Sequence, residues 1–308
     1  MKRLALAAVA LTFVVVVVGA YVRLSDAGLG CPDWPLCYGR PIPDKFASAM
    51  HEAKAWKEMG HRYLAGALGL LLLALLVAAW RTRRASGLAT AIVVLVVFQA
   101  TLGMWTVTML LKPAIVTAHL MGGMTLLALV TWLSLSLPEH TPDSRVRALR
   151  LPAAVALIVL AIQLTLGGWV SANYAALACP DLPLCLGRAV PPMDFGNAFH
   201  VLRELGRTDS GELLPQAALI AIHWSHRLFA LVVLGAVGWA VVGAFRIFRG
   251  LGIAIALLLV VQFLLGVANV AFGLPLALAA AHNAGAAALL VSLVVLNFFA
   301  FRGLRPSW

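Results

Sequence analysis

Charge is scarce in this chain. Only 11% of its 308 residues are Asp, Glu, Lys or Arg, 62% are hydrophobic, and charge-free runs extend for 18 residues and more. Runs of that length exclude a soluble core and place the chain in a bilayer. Acidic residues are the rarer sign, 12 against 23 Lys and Arg, giving a net charge of +11. No basic, aromatic-interleaved soluble segment accompanies that charge, so nucleic acid is excluded as a partner.

The uncharged runs cover 4–22, 63–80, 85–111, 113–138, 151–178, 228–245 and 250–301. The last is long enough for two spans, with its break at Phe272-Gly273-Leu274-Pro275, where glycine and proline end one helix and start the next. Eight spans follow, with both termini on one side. That side carries twelve basic residues against Glu139 and Asp143, and the opposite side carries eleven basic against ten acidic. Short cytoplasmic loops retain Lys and Arg, so the termini are expected to be cytoplasmic, and the high pI reports topology and attraction to anionic lipid.

An internal repeat organises the chain. CPDWPLC at 31–37 returns as CPDLPLC at 179–185, and Gly19 and Val22 align with Gly167 and Val170 at the same shift of 148. HRYLAG at 61 returns as HRLFAL at 226, Gln99 as Gln262, Leu102-Gly103 as Leu265-Gly266 and Ala118-His119 as Ala281-His282. The second half has a longer outer loop, 186–216. Met1-Lys2-Arg3 and the apolar stretch after it resemble a signal peptide, but the repeat gives helix one a counterpart, so it is expected to be retained. Two four-helix halves, 1–144 and 145–308, are expected in the same membrane orientation, related by an axis along the membrane normal.

His61, His119, His226 and His282 all fall near the outer ends of the even-numbered helices. In an up-down-up-down bundle those helices are diagonal neighbours, so two imidazoles at similar depth face each other across the centre. A haem iron fits between such a pair, and two axial imidazoles favour electron transfer or substrate holding over oxygen binding. A single interfacial His is ordinarily a satisfied polar residue; the same two positions filled in both halves is the argument for ligands. His51, His140 and His200 are expected in loops, solvated. Glu58 precedes His61 by three residues and shares its helix face, a carboxylate beside the porphyrin edge, or else a loop acid or helix cap. His223 takes the repeat position of Glu58. Arg62 and Arg227 follow the ligands, either to pair with haem propionates or to anchor at the interface.

The four cysteines form two pairs, Cys31 with Cys37 and Cys179 with Cys185, each in a proline-bearing outer loop. An oxidising exterior makes an intraloop disulfide in each the expectation. Neither pair is C-x-x-C-H, which disfavours covalent haem attachment, and a four-cysteine zinc site is poorly supported because the loops belong to different halves. Staple and redox participant stay open for Cys31 and Cys37; a staple is expected for Cys179 and Cys185.

GCPDWPLC after a first helix, E-x-x-H-R at 58–62, H-x-x-H-R at 223–227 and single histidines at 119 and 282 together resemble the haem A synthase family, over essentially the whole chain. The resemblance implies an oxidoreductase of the bacterial plasma membrane that converts haem O to haem A by oxidising the ring D methyl group to a formyl group. It implies substrate haem on His61 and His119, haem b on His226 and His282, Glu58 as catalytic carboxylate, and two disulfides. The implied partners are the enzyme that makes haem O, cytochrome oxidase assembly factors, membrane lipid and an electron acceptor that the sequence does not name. A two-haem electron-transfer cytochrome or haem carrier explains the histidines but leaves Glu58 idle. A quinone-linked disulfide oxidase explains the cysteines but leaves four histidines idle.

Overall fold

The structure, a computed structural model, describes residues 1–42 and 49–306. Among the described residues eight helices are long and apolar enough to cross a membrane. They are α1 (Lys2–Leu24), α2 (Ala49–Thr82), α3 (Ser86–Thr108), α4 (Pro113–Ser136), α5 (Arg150–Ala172), α7 (Gln216–Ile247), α8 (Arg249–Ala271) and α9 (Leu276–Arg302); a short α6 (Phe195–Ala198) lies in the long second loop. The break in the final apolar run falls where the sequence puts it: Gly273 and Leu274 adopt positive φ and Pro275 caps α9. The chain is thus a polytopic, almost wholly helical membrane protein. A two-stranded sheet that the sequence does not announce, β1 (His140–Pro142) with β2 (Leu304–Pro306), ties the mid-chain connection to the C-terminal segment.

Each half closes into a ring. Helices α1, α2, α3 and α4 pack in turn and α4 returns to α1; α5, α7, α8 and α9 repeat the order. This leaves α2 diagonal to α4 and α7 diagonal to α9. The halves meet through α1 on α9, its repeat equivalent α5 on α4, and α4 on α9. Burial follows from that arrangement: 61% of the apolar stretch of α9 is buried against 11% for lipid-facing α8. Alanines at 279, 286 and 287 on α9 allow the close helix approach that membrane packing requires.

Helix α2 starts well before its apolar run. The stretch AMHEAKAWKEMG is rich in helix formers, and Glu52 stands in its first turn, where a carboxylate opposes the macrodipole. Glu58 therefore stands in the body of a helix and not in a loop. His51 likewise lies on the first turn of α2. His140 is half-buried rather than solvated, edge-on to Phe298 and Phe299 at centroid distances of 5.7 and 5.3 Å. His200 stays in the second loop, 3.7 Å from Asp209.

That second loop is pinned over the end of α5. Arg203, 2% exposed, donates to Asn173 Oδ1 at 2.5 Å and to the Asn197 carbonyl at 3.1 Å. Trp169 Nε1 donates to the Ala198 carbonyl at 2.8 Å.

Candidate functional site

One cavity of about 1540 Å³ runs through both halves and is lined by His61, His119, His226 and His282. With α2 diagonal to α4 and α7 diagonal to α9, all four histidines reach this cavity. The Nδ1 atoms of all four are buried without a protein hydrogen bond.

A glycine on the preceding helix flanks every one of these rings. A Cβ at Gly19 would lie 2.8 Å from His61 Cε1; at Gly103, 3.3 Å from His119 Cε1; at Gly167, 3.1 Å from His226 Cε1; at Gly266, 3.2 Å from His282 Cε1. A side chain at Gly19 would force the ring to shift, and at the other three the ring would have to give by a few tenths of an ångström, so the repeated glycines leave room for the rings. Glutamines complete the pattern. Gln99 packs where a Cβ on Gly122 would be, and Gln262 where one on Gly285 would be. The Gln262 amide nitrogen lies 3.3 Å from His282 Nε2. These glycines and glutamines appear in the sequence only as repeat markers; their common spacing relative to the histidines is the signal that carries their role.

Glu58 is 4% exposed. Its Oε2 accepts the Cys31 N–H at 2.9 Å and its Oε1 pairs with Arg62. At the repeat position His223 Nδ1 accepts the Cys179 N–H at 3.2 Å. Both cysteine pairs are disulfides, and among the described residues no cysteine is free, which removes the four-cysteine zinc alternative. The arginines turn toward the loops. Arg62 donates to the Asp33 and Leu36 carbonyls at 3.0 and 2.7 Å. Arg227 donates to the Asp181 carbonyl at 2.9 Å and stacks on Trp224.

The loops are braced alike from within. Asp33 accepts the N–H groups of Tyr38 and Gly39 at 2.6 and 2.7 Å, and Asp181 those of Leu186 and Gly187 at 2.6 and 2.8 Å. The Gly187 N–H, then Leu186, hold the Asp181 carboxyl below the ordinary carboxylate range. At the seam, Lys54 lowers Asp26 while burial raises the Tyr174 hydroxyl.

Among the described residues no three His, Cys, Asp or Glu converge to hold a bare metal ion. Two cavity-lining histidines from each half, their Nδ1 atoms without a protein partner, in a mainly apolar cavity, fit a haem, whose iron such imidazoles would hold. Fold and site together define a polytopic membrane protein with four repeat-related histidines on one large cavity. Comparison sharpens that class. Residues 2–294 match the family described as "Cytochrome oxidase assembly protein". A "Heme A synthase" of Shewanella oneidensis is 41% identical over 94% of this chain and 93% of its own length. Proteins of the same name from Halalkalibacterium halodurans and Caulobacter vibrioides are each 28% identical, the first over 70% of this chain and 73% of its own, the second over 96% and 94%. The chain belongs to the haem A synthase family.

Proposed function

We propose that this chain is a haem A synthase that oxidises the ring D methyl group of haem O to a formyl group, supplying haem A for cytochrome oxidase. In this reading the N-terminal half, 1–144, holds the substrate iron on His61 and His119. The C-terminal half, 145–308, holds haem b on His226 and His282. His226 and His282 would hold the haem b iron there, and the group would supply one-electron redox chemistry.

The observation that carries the reading is the asymmetry at one repeat position, Glu58 in the first half and His223 in the second. An electron-transfer cytochrome with two equal sites has no use for that difference. A further contrast supports different haems in the two chambers. Gln163, Asn269 and Asn283 line the second, where the repeat places Val15, Thr106 and Leu120 in the first.

Turning a methyl into a formyl group with water as the oxygen source releases four electrons and four protons and adds one oxygen atom, so the reaction requires an external electron acceptor that takes two electrons at each hydroxylation. Two successive hydroxylations give a geminal diol, which loses water. Glu58, about one turn from His61 on the same helix face, stabilises positive charge developing at the methyl carbon and accepts a proton from attacking water. The apolar walls keep that charge interaction strong by excluding solvent. The cysteine loops and both chambers face the exterior in this reading, supported by the basic residues at the opposite ends of the helices and by disulfides that persist outside reducing compartments.

The test is to produce the protein beside a haem O source, extract the haems and separate them by chromatography. Haem A is expected; haem O alone, from protein with both chambers loaded, overturns the synthase reading in favour of a cytochrome or carrier.

A further inference from the structure

Three arginines line the cavity: Arg23, Arg62 and Arg227. Arg62 and Arg227 donate to loop carbonyls, and Arg62 also pairs with Glu58. Arg23 is placed differently. It follows Gly19 by four residues on the same face of α1, so it stands about 6 Å nearer the loop end than the point where α1 meets the His61 ring. Its Nη2 crosses the seam to the Ser171 carbonyl at 2.7 Å. Ser171 in turn follows Gly167, the glycine against His226, by four residues. The guanidinium therefore sits between the loop ends of the two chambers.

Its local partners satisfy it only in part: Nη2 also reaches the Ala172 carbonyl at 3.4 Å, and the Tyr174 hydroxyl and the Asp26 charge lie near enough to act on it. The Tyr174 ring covers one face at 4.0 Å, and Nε is buried with no hydrogen-bond partner. Asp26, three residues along, gives one oxygen to Lys54 at 3.1 Å and the other to the Tyr174 hydroxyl at 2.9 Å. Among the described residues no carboxylate forms an ion pair with Arg23. A guanidinium offers five N–H donors in a fork that matches a carboxylate, and a partly buried one with Asp26 nearby but no carboxylate in its fork favours an anionic ligand. A haem carries two propionates on one edge. Charge is costly in the bilayer centre, so that edge turns to the loop end, the height at which Arg23 stands.

We propose that Arg23 is the carboxylate-binding residue of the cavity, holding a propionate of the haem on His61 and His119 at the seam between the halves. The proposal rests on the reading of the cavity as a haem site. Its test uses full-length protein carrying His226→Ala and His282→Ala, so that only the first chamber reports, titrated in detergent with haem b or with haem b dimethyl ester, whose propionates are uncharged. Protein with Arg23 is expected to prefer the free acid by about ten- to a hundredfold. Arg23→Gln should bind the two within about twofold of each other, and Arg23→Lys should fall between. Tyr174→Phe, which removes the bond to Asp26 but keeps the guanidinium, should retain the preference while thermal unfolding reports any loosening of the seam. A preference that survives in Arg23→Gln, or no preference in the Arg23 protein, overturns the proposal and leaves Arg23 a seam residue. Absence of binding by either form of haem overturns the haem-site reading itself. Should Arg23→Gln fail to fold, the lysine variant decides: a preference equal to that of arginine counts against a forked carboxylate contact.

Discussion

Glu58 and His223 do the same structural work in the two halves, each accepting the backbone N–H of the first cysteine of its loop, at 2.9 and 3.2 Å. Holding that amide therefore does not require a carboxylate, since an imidazole suffices. What Glu58 adds is a carboxylate on the cavity wall, ion-paired with Arg62. Glu58→Gln keeps an acceptor for Cys31 and is expected to preserve fold and haem binding. Loss of a pre-placed charge in a sheltered site costs about 3 kcal/mol or more of barrier, roughly a hundredfold in rate. Chromatography of extracted haem, beside the low-spin spectrum, checks it; an undiminished haem A yield would reassign Glu58 to loop-holding alone.

The second chamber is expected to hold a six-coordinate low-spin haem b. His226→Ala and His282→Ala each remove one axial imidazole and should abolish that spectrum in the purified protein. Persistence of the signal in both variants would refute the ligand assignment.

The flanking glycines make a sharper claim about space. Gly167→Val introduces branched carbons where a Cβ alone would stand 3.1 Å from His226 Cε1. Overpacking of about 1–3 kcal/mol should cut haem b occupancy about tenfold or more. Gly235→Val, on α7 where a Cβ meets nothing within 4 Å, is the control and should leave occupancy unchanged. Equal haem content in the two variants would show that the Gly167 contact is incidental.

Thiol labelling of protein isolated without reductant should find no free cysteine, because Cys31 pairs with Cys37 and Cys179 with Cys185. Mass spectrometry after proteolysis should recover each pair within its own loop. Labelled thiols, or a bridge between the two loops, would contradict the pairing.

Acid should loosen the second loop. Asp181 has a depressed pKa because the folded loop donates the Gly187 and Leu186 amides to its carboxylate. That contribution is complete above the ordinary value of 3.8 and is lost as pH falls through the lower folded value. Asp181→Asn should mimic the acid state at neutral pH. Hydrogen exchange at Leu186 and Gly187 is the readout, after correction for intrinsic rates: faster exchange at neutral pH is expected in the variant, and unchanged protection would remove the carboxylate from the account.

Much of this molecule is set by local patterns. Charge-free runs have the length of a bilayer, glycine and proline punctuate them, and a repeat of CPDWPLC and HRYLAG places four histidines at matching depths. The number of spans, the diagonal helices and the intraloop disulfides follow from covalent sequence and the cost of exposing backbone to lipid. The direction of side chains is another matter, because it depends on neighbours far away in the chain. Arg62 and Arg227 directly follow His61 and His226 in sequence, yet loop carbonyls 26 to 46 residues distant draw their donors. Arg23 carries no motif; the crossing of α1 toward the end of α5 gives it Ser171 and Tyr174 as neighbours. Helix packing likewise sets Gly19 and Gly167 against imidazoles that lie 42 and 59 residues further along the chain. Sequence decides which groups are present and at what depth; the close approach of helices decides which of them meet.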